Sequence, residues 1–296
     1  MQREKITKSG RLLEADFYPI LADGRRVPSR APKTKPSTAE QARYNRKQAV
    51  KNFVRLVNSN FETDDVYMHP TYCPGNAPYT LEDAKRDIVN YLRRVKTRRA
   101  SELKRVTALL AKNPDDPERQ AQKRRLEQPY RYAYRIEEEV YKRGEKRGQS
   151  NFHFHLFMTG GVPLSALEEL WPLGVRVNAN RYQPEVFGPE AAALYTVKDG
   201  QGALKIGYSK NLQRPVSPKP RDGKISARGV AQLAKLHSDD AAYWEKRYKG
   251  YTFLRCYSRY NEHNGYWYVT AVMYKKEGTR DLPPWSIDDW LDEGGC

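Results

Sequence analysis

The run Phe152-His153-Phe154-His155-Leu156-Phe157 holds two of the chain's five histidines, one residue apart. On a strand, alternate side chains share a face, so His153 and His155 project together while Phe152, Phe154 and Leu156 project into a core. Such a pair can ligate one cation, or it can be two ordinary surface histidines; spacing alone leaves both readings open. Two imidazoles by themselves make a poor cation site, so a carboxylate is expected on a neighbouring strand. Glu137 ends the strand expected to pair with the histidine strand, Glu139 shares its face by alternation, and Glu138 points the other way. Glu137 is the first choice of third ligand and Glu139 the second, against a reading of all three as a solvated turn. Imidazole donors would suit zinc or iron as well as harder cations.

A second pattern is Tyr195-Thr196-Val197-Lys198, directly after Pro189-Glu190-Ala191-Ala192-Ala193-Leu194 and ahead of Gly200. Proline at a helix start and glycine past its end predict a short helix. An i,i+3 spacing puts the phenol and the ammonium on one face, with little bulk one turn back at Ala191 and Ala192. A tyrosine oxygen is a workable nucleophile toward a phosphodiester when its developing charge is neutralised, which Lys198 and a divalent cation would do. The alternative is a tyrosine packed on an alanine-rich helix.

The remaining elements must position these residues. Apolar spacing and a Ser/Thr cap predict a helix near 38–58, and Val66-Tyr67-Met68-His69 a strand ended by the turn after Cys73. A long basic helix opens at Thr80 and runs to about Lys112, and a second covers roughly 116–128. Period-two segments at 130–137 and 151–158 read as a hairpin, followed by a short helix near 164–171, an extended stretch at 174–182, basic loop over 201–224, partial helix over 226–250 and a strand pair at 251–274. The expected fold is α+β: a central antiparallel sheet with the histidine strand in its middle, flanking helices and a helical insertion at 80–128. The expected organisation is a mobile basic arm at 1–45, one domain over 46–275 and an acidic tail at 276–296.

The whole chain has 296 residues and a formal net charge of +17. A pI near 9.6 and mean hydropathy of −0.89 point to a polyanionic partner, nucleic acid ahead of an anionic membrane surface. No apolar run approaches the roughly 18 residues of a membrane span, so an integral membrane protein is not expected. The charged N-terminus lacks the apolar core of a secretory signal, and Cys73, Cys256 and Cys296 fit neither a disulfide framework nor a zinc pattern, so an intracellular, cytoplasmic protein with free thiols is expected. The 21 tyrosines and 5 tryptophans against 8 phenylalanines suit stacking surfaces for unpaired bases, or simply tyrosine-rich surface strands.

His153-Phe154-His155 followed 42 residues later by Tyr195 and then Lys198 resembles, in order and spacing, the HUH endonucleases, and among them the rolling-circle replication initiators of plasmids and phages. Val66-Tyr67-Met68-His69-Pro70-Thr71-Tyr72 falls where that family has its first motif strand, with His69-Pro70 in place of the expected Thr-Leu, and Tyr208-Ser209-Lys210-Asn211-Leu212-Gln213-Arg214-Pro215 resembles a linker that follows the tyrosine helix. The resemblance spans roughly residues 60–200. It implies that Tyr195 attacks a scissile phosphodiester in single-stranded origin DNA, leaving a 5′-phosphotyrosine and a free 3′-hydroxyl. It further implies that Lys198 positions or neutralises the phosphate, and that His153, His155 and Glu137 hold Mg2+ or Mn2+. Implied partners are single-stranded DNA, origin duplex, and a host helicase and polymerase, since no P-loop sequence occurs in the chain. A relaxase places its tyrosine ahead of its histidines, which argues against that relative; an HUH transposase remains an alternative. So does a non-enzymatic binder of single-stranded nucleic acid.

Overall fold

The computed structural model describes residues 1–20, 38–73, 75–140, 148, 150–174, 177–182 and 205–275. The helix expected over 189–200, with Tyr195 and Lys198, lies outside the described residues, as do the acidic tail and residues 21–37 of the expected arm. The protein is α+β, with two antiparallel five-stranded sheets and, among the described residues, six helices. The chain forms two compact units rather than one domain: residues 1–59 with 213–275, and residues 60–182 with 205–212.

The first unit corrects the expectation of a mobile arm. Strands β1 (Gln2–Ser9) and β2 (Leu12–Pro19) form a hairpin joined by the two-residue turn Gly10-Arg11. Gly10 sits at φ 57°, where a Cβ would run into the Asn58 carbonyl, so only glycine closes this turn. The hairpin escapes a polarity reading because β1 buries Gln2 and Glu4; the Glu4 carboxylate is held by the Tyr248 hydroxyl at 2.6 Å and Arg247 at 3.2 Å. Helix α1 (Ala39–Asn58), capped by Thr38, pairs its Arg55 with Glu14 at 2.5 Å.

In the other unit, β3 (Val66–His69), helices α2 (Leu81–Lys112) and α3 (Pro117–Glu127), the hairpin β4 (Tyr132–Val140) and β5 (Ser150–Met158), helix α4 (Leu164–Glu169), β6 (Asn178–Arg181) and β7 (Lys205–Tyr208) follow in order. The sheet runs β6-β3-β5-β4-β7, which puts the histidine strand in the middle as expected. Strand β7 lies where the sequence reads as loop. Returning to the first unit, β8 (Arg221–Asp222), α5 (Ala227–Leu236), α6 (Ala241–Arg247), β9 (Tyr251–Asn261) and β10 (Tyr266–Lys275) complete the chain. The β9/β10 pair does not join the histidine sheet; it adds to the N-terminal hairpin in the order β8-β1-β2-β10-β9.

One face of the histidine sheet makes the core of its unit. Met68, Ile136, Phe152, Phe154 and Leu156 pack against Ile88, Tyr91, Leu92 and Val95 of α2 and Leu167 of α4. Helix α2 starts where Thr80 caps the Asp83 N–H at 3.1 Å, with Glu82 and Asp83 complementing the helix dipole. Its buried stripe includes Arg99 and Glu102, on a helix whose charges read as a solvated face. The Arg99 guanidinium donates to the carbonyls of Thr159, Gly160, Arg125, Leu126 and Gln128, tying α2 to the end of α3 and to the chain leaving β5.

Candidate metal centre

Alternation on three adjacent strands delivers one cluster to the opposite face of the same sheet. The β4/β5 register sets Glu137 directly across from His153 and Arg135 across from His155. On the other side of β5, Thr71 bridges to His153, and Pro70 accepts the Phe154 N–H at 3.0 Å. Pro70 has no N–H to give the ladder, so β3 stops at His69. The histidine strand thus presents its polar side while Phe152, Phe154 and Leu156 face the core, as the period of two requires.

Both imidazoles converge on one atom. His153 Nε2 lies 2.7 Å and His155 Nε2 2.8 Å from Glu137 Oε2. The three ligand atoms lie within 4.8 Å of one another and could hold a metal ion. His155 and Glu137 are 3% and 6% exposed and His153 is half-buried, so the cluster opens toward solvent on the His153 side. Glu138 points away, as alternation requires, accepting from Ser150 Oγ at 2.6 Å and pairing with Lys205. The Glu139 side chain lies outside the described residues, and Glu137 is the carboxylate in the cluster.

An ionised carboxylate only accepts, so in the metal-free cluster each histidine carries its proton on Nε2. The Tyr67 hydroxyl then donates to His155 Nδ1, 3.1 Å away. Ligation through Nε2 needs the other tautomer, with Nδ1–H donating to the same hydroxyl, and Tyr67 can serve in both because a phenol donates and accepts. The donor set therefore fits a divalent cation: two imidazole nitrogens, one carboxylate oxygen and a neighbour that holds one ring in either state.

Burial alone would raise the Glu137 carboxyl, but hydrogen bonds from His153 and His155 and the charge of Arg135 outweigh it and hold the group well below the usual carboxylate range. Arg135 Nη2 is 3.4 Å from Glu137 Oε1 and its side chain is 4% exposed. Burial lowers the His155 imidazole, against the pull of Glu137. His69 is lowered to about 4 by burial and by His155 and His153. Its ring stands edge-on between Tyr67, at 4.6 Å, and His155, at 4.4 Å.

The structure brings together His153, His155 and Glu137; Tyr195 and Lys198 fall outside the described residues. Arg135 and Tyr67 are neighbours of the cluster that a reading by motif passes over. Alternation would have found both: Arg135 lies two residues before Glu137, and Tyr67 two before His69, on the face that the histidines use. Among the described residues no helix is long and apolar enough to cross a membrane. Compared with protein-family models, curated proteins and solved structures, the chain matches none.

Proposed function

We propose that this protein is an HUH-type, metal-dependent endonuclease that initiates rolling-circle replication by nicking single-stranded origin DNA. The observation that carries the reading is the convergence of His153, His155 and Glu137 at one point on the middle strands of a sheet. An incidental histidine pair has no need of a buried carboxylate shared between both rings. The charge of +17 fits a polyanionic substrate.

In this reading the Tyr195 phenol gives up its proton, its oxygen attacks the scissile phosphorus, and the bond from phosphorus to the 3′ oxygen breaks. The 3′ oxygen takes up a proton, so the products are a 5′-phosphotyrosine and a 3′-hydroxyl that can prime synthesis. Lys198 neutralises charge on the phosphate as it transfers. When bound, Mg2+ or Mn2+ supplies Lewis-acid polarisation of that phosphate. Glu137, His153 and His155 would hold the cation, and Tyr67 would keep the His155 ring aimed. Basic side chains of α2 and α3 would hold flanking duplex through its phosphates, with a host helicase and polymerase completing replication.

Incubation with Mn2+ and single-stranded oligonucleotides tiled across the protein's own replicon tests this. One oligonucleotide should be cut at a single position, with cutting abolished by chelator and by His153→Ala. Sustained binding without cutting of any oligonucleotide would sink the endonuclease reading in favour of a binding module.

A further inference from the structure

In the first unit, the two faces of the five-stranded sheet differ. One packs Leu13, Phe17, Val269 and Met273 against α5 and α6. On the other, Leu12, Val272 and Tyr274 are buried at the end nearest the Gly10 turn. Ser9, Thr7 and Glu14 on this face are buried as well, Glu14 against Arg55 of α1; farther along, Arg3, Lys5, Tyr18, Tyr266 and Tyr268 are half-buried. The register aligns Asp222 of β8 with Arg3 of β1, Arg3 with Tyr18 of β2, and Tyr268 of β10 with Arg259 of β9. Continuing the β2/β10 register by one pair sets Tyr18 beside Tyr268. One row across the sheet therefore reads Arg-Tyr-Tyr-Arg through its four longer strands. Lys5 and Tyr266 lie on the same face, and the Arg259 guanidinium stands 5.6 Å from the Tyr268 ring centre.

We infer that this face, in the unit that does not hold the Glu137, His153 and His155 cluster, is a platform for single-stranded DNA. Flat aromatic rings left partly exposed on a sheet face take unpaired bases by stacking, which a duplex cannot offer because its bases are already stacked. Tyr266 and Tyr268 are two residues apart on one strand, about 6.8 Å, so a splayed strand can seat a base on each. Lys5 and Arg259 flank the rings with positive charge for the phosphates; Arg3 is paired with Asp222 through two hydrogen bonds, of 2.7 and 2.8 Å, and Asp16 and Glu14 are acids on the same face, Glu14 paired with Arg55. An apolar protein partner would meet charged side chains on both flanks of the tyrosine pair, whereas a polyanion with exposed bases complements both.

The inference does not require nicking and is tested without it. Full-length protein is titrated into fluorescein-labelled (dT)20 in EDTA, where metal-dependent cutting cannot occur, beside a 20-base-pair duplex. Tyr268→Ala and Tyr18→Ala should each weaken (dT)20 binding by about fivefold or more, as loss of a base–aromatic stack does. Tyr268→Phe keeps the ring but loses the Asn264 Nδ2–H bond to the Tyr268 hydroxyl, 2.9 Å long, and should bind within about twofold of wild type. Arg259→Gln should lower the salt slope by about 0.7, the value for one phosphate contact on a single strand. Wild-type affinity in both alanine variants, each shown folded by its melting curve, would overturn the platform. So would equal loss in Tyr268→Phe and Tyr268→Ala, because the hydroxyl and not the ring would then matter. If Tyr268→Ala fails to fold, Tyr18→Ala decides on the same criterion. Cutting could persist while this test fails, and binding could pass it in a protein that never cuts.

Discussion

Glu137 has two roles that substitution can separate: it would complete a metal ligand set, and it pairs with Arg135. Glu137→Ala removes the oxygen on which His153 and His155 converge at 2.7 and 2.8 Å, and takes a carboxylate away from beside the Arg135 guanidinium, which is 4% exposed. Stripping one partner from a buried pair costs about 3–5 kcal/mol, so the metal-free variant should be destabilised by that much. Glu137→Gln preserves the volume and one acceptor oxygen, and should cost about 1–3 kcal/mol. In wild type, Mn2+ at about a hundredfold excess over its dissociation constant should add about 2.7 kcal/mol to the folded state. At about 2–4 °C per kcal/mol for a unit of this size, that is a rise of about 5–10 °C in melting temperature. Both variants should lose the rise, since two imidazoles remain. Scanning calorimetry in EDTA and across a Mn2+ titration reads both roles at once. A Glu137→Gln protein that keeps the full Mn2+ shift, or a wild type that shows none up to millimolar Mn2+, would refute the ligand assignment.

Other consequences follow from particular contacts. Tyr67→Phe removes the group that holds His155 Nδ1 and should weaken Mn2+ binding about 10- to 100-fold, as loss of an outer-shell partner does, measured by isothermal titration. Arg99→Met takes the guanidinium from five backbone carbonyls, of which that of Arg125 keeps the Gln128 N–H, and should destabilise the protein by at least about 1–3 kcal/mol in urea unfolding. Asp16 is raised by burial and by Glu14, against the bond from Thr270 and the charges of Arg55 and Lys51. A carboxyl raised in the folded state favours folding when protonated and loses that contribution as pH rises through its folded-state value. Asp16→Asn, which does not titrate, should therefore be more stable than wild type at pH 7, with the gain shrinking on acidification; melting curves equal to those of wild type at pH 7 and in acid would contradict this. The same substitution removes an acid from the tyrosine face and should tighten (dT)20 binding.

The cluster was legible because strand alternation is a hard geometric rule. A period of two places His153 and His155 together, and places Glu137 and Glu138 on opposite sides, whatever the rest of the chain does. The helices were legible for a similar reason: Thr80 before Glu82 and Asp83, and Asp116 before Pro117, are local cap chemistry that needs no tertiary contact. What depends on distant partners was not legible. Strand β1 reads as a polar arm until Tyr248 and Arg247, more than 240 residues away, are seen to hold Glu4. Arg99 reads as one more solvated charge until the end of α3 and the chain after β5 bring carbonyls to it. Strand β7 is four residues long, and Gly207 sits where a Cβ would strike the Tyr134 ring, a reason for glycine that only the pairing with β4 reveals. Nor does a list of strands say which sheet each joins: β9 and β10 extend the N-terminal hairpin, a pairing that no local pattern in either strand announces.

The central claim is a covalent tyrosine intermediate, and it is tested most directly by trapping it. Protein, Mn2+ and tiled single-stranded oligonucleotides are resolved on a denaturing gel, and the shifted band is digested and weighed by mass spectrometry. The expected result is one oligonucleotide that leaves its 5′-phosphate on the peptide carrying Tyr195, with no adduct in Tyr195→Phe or in chelator. An adduct on another residue, or one that survives Tyr195→Phe, would contradict it.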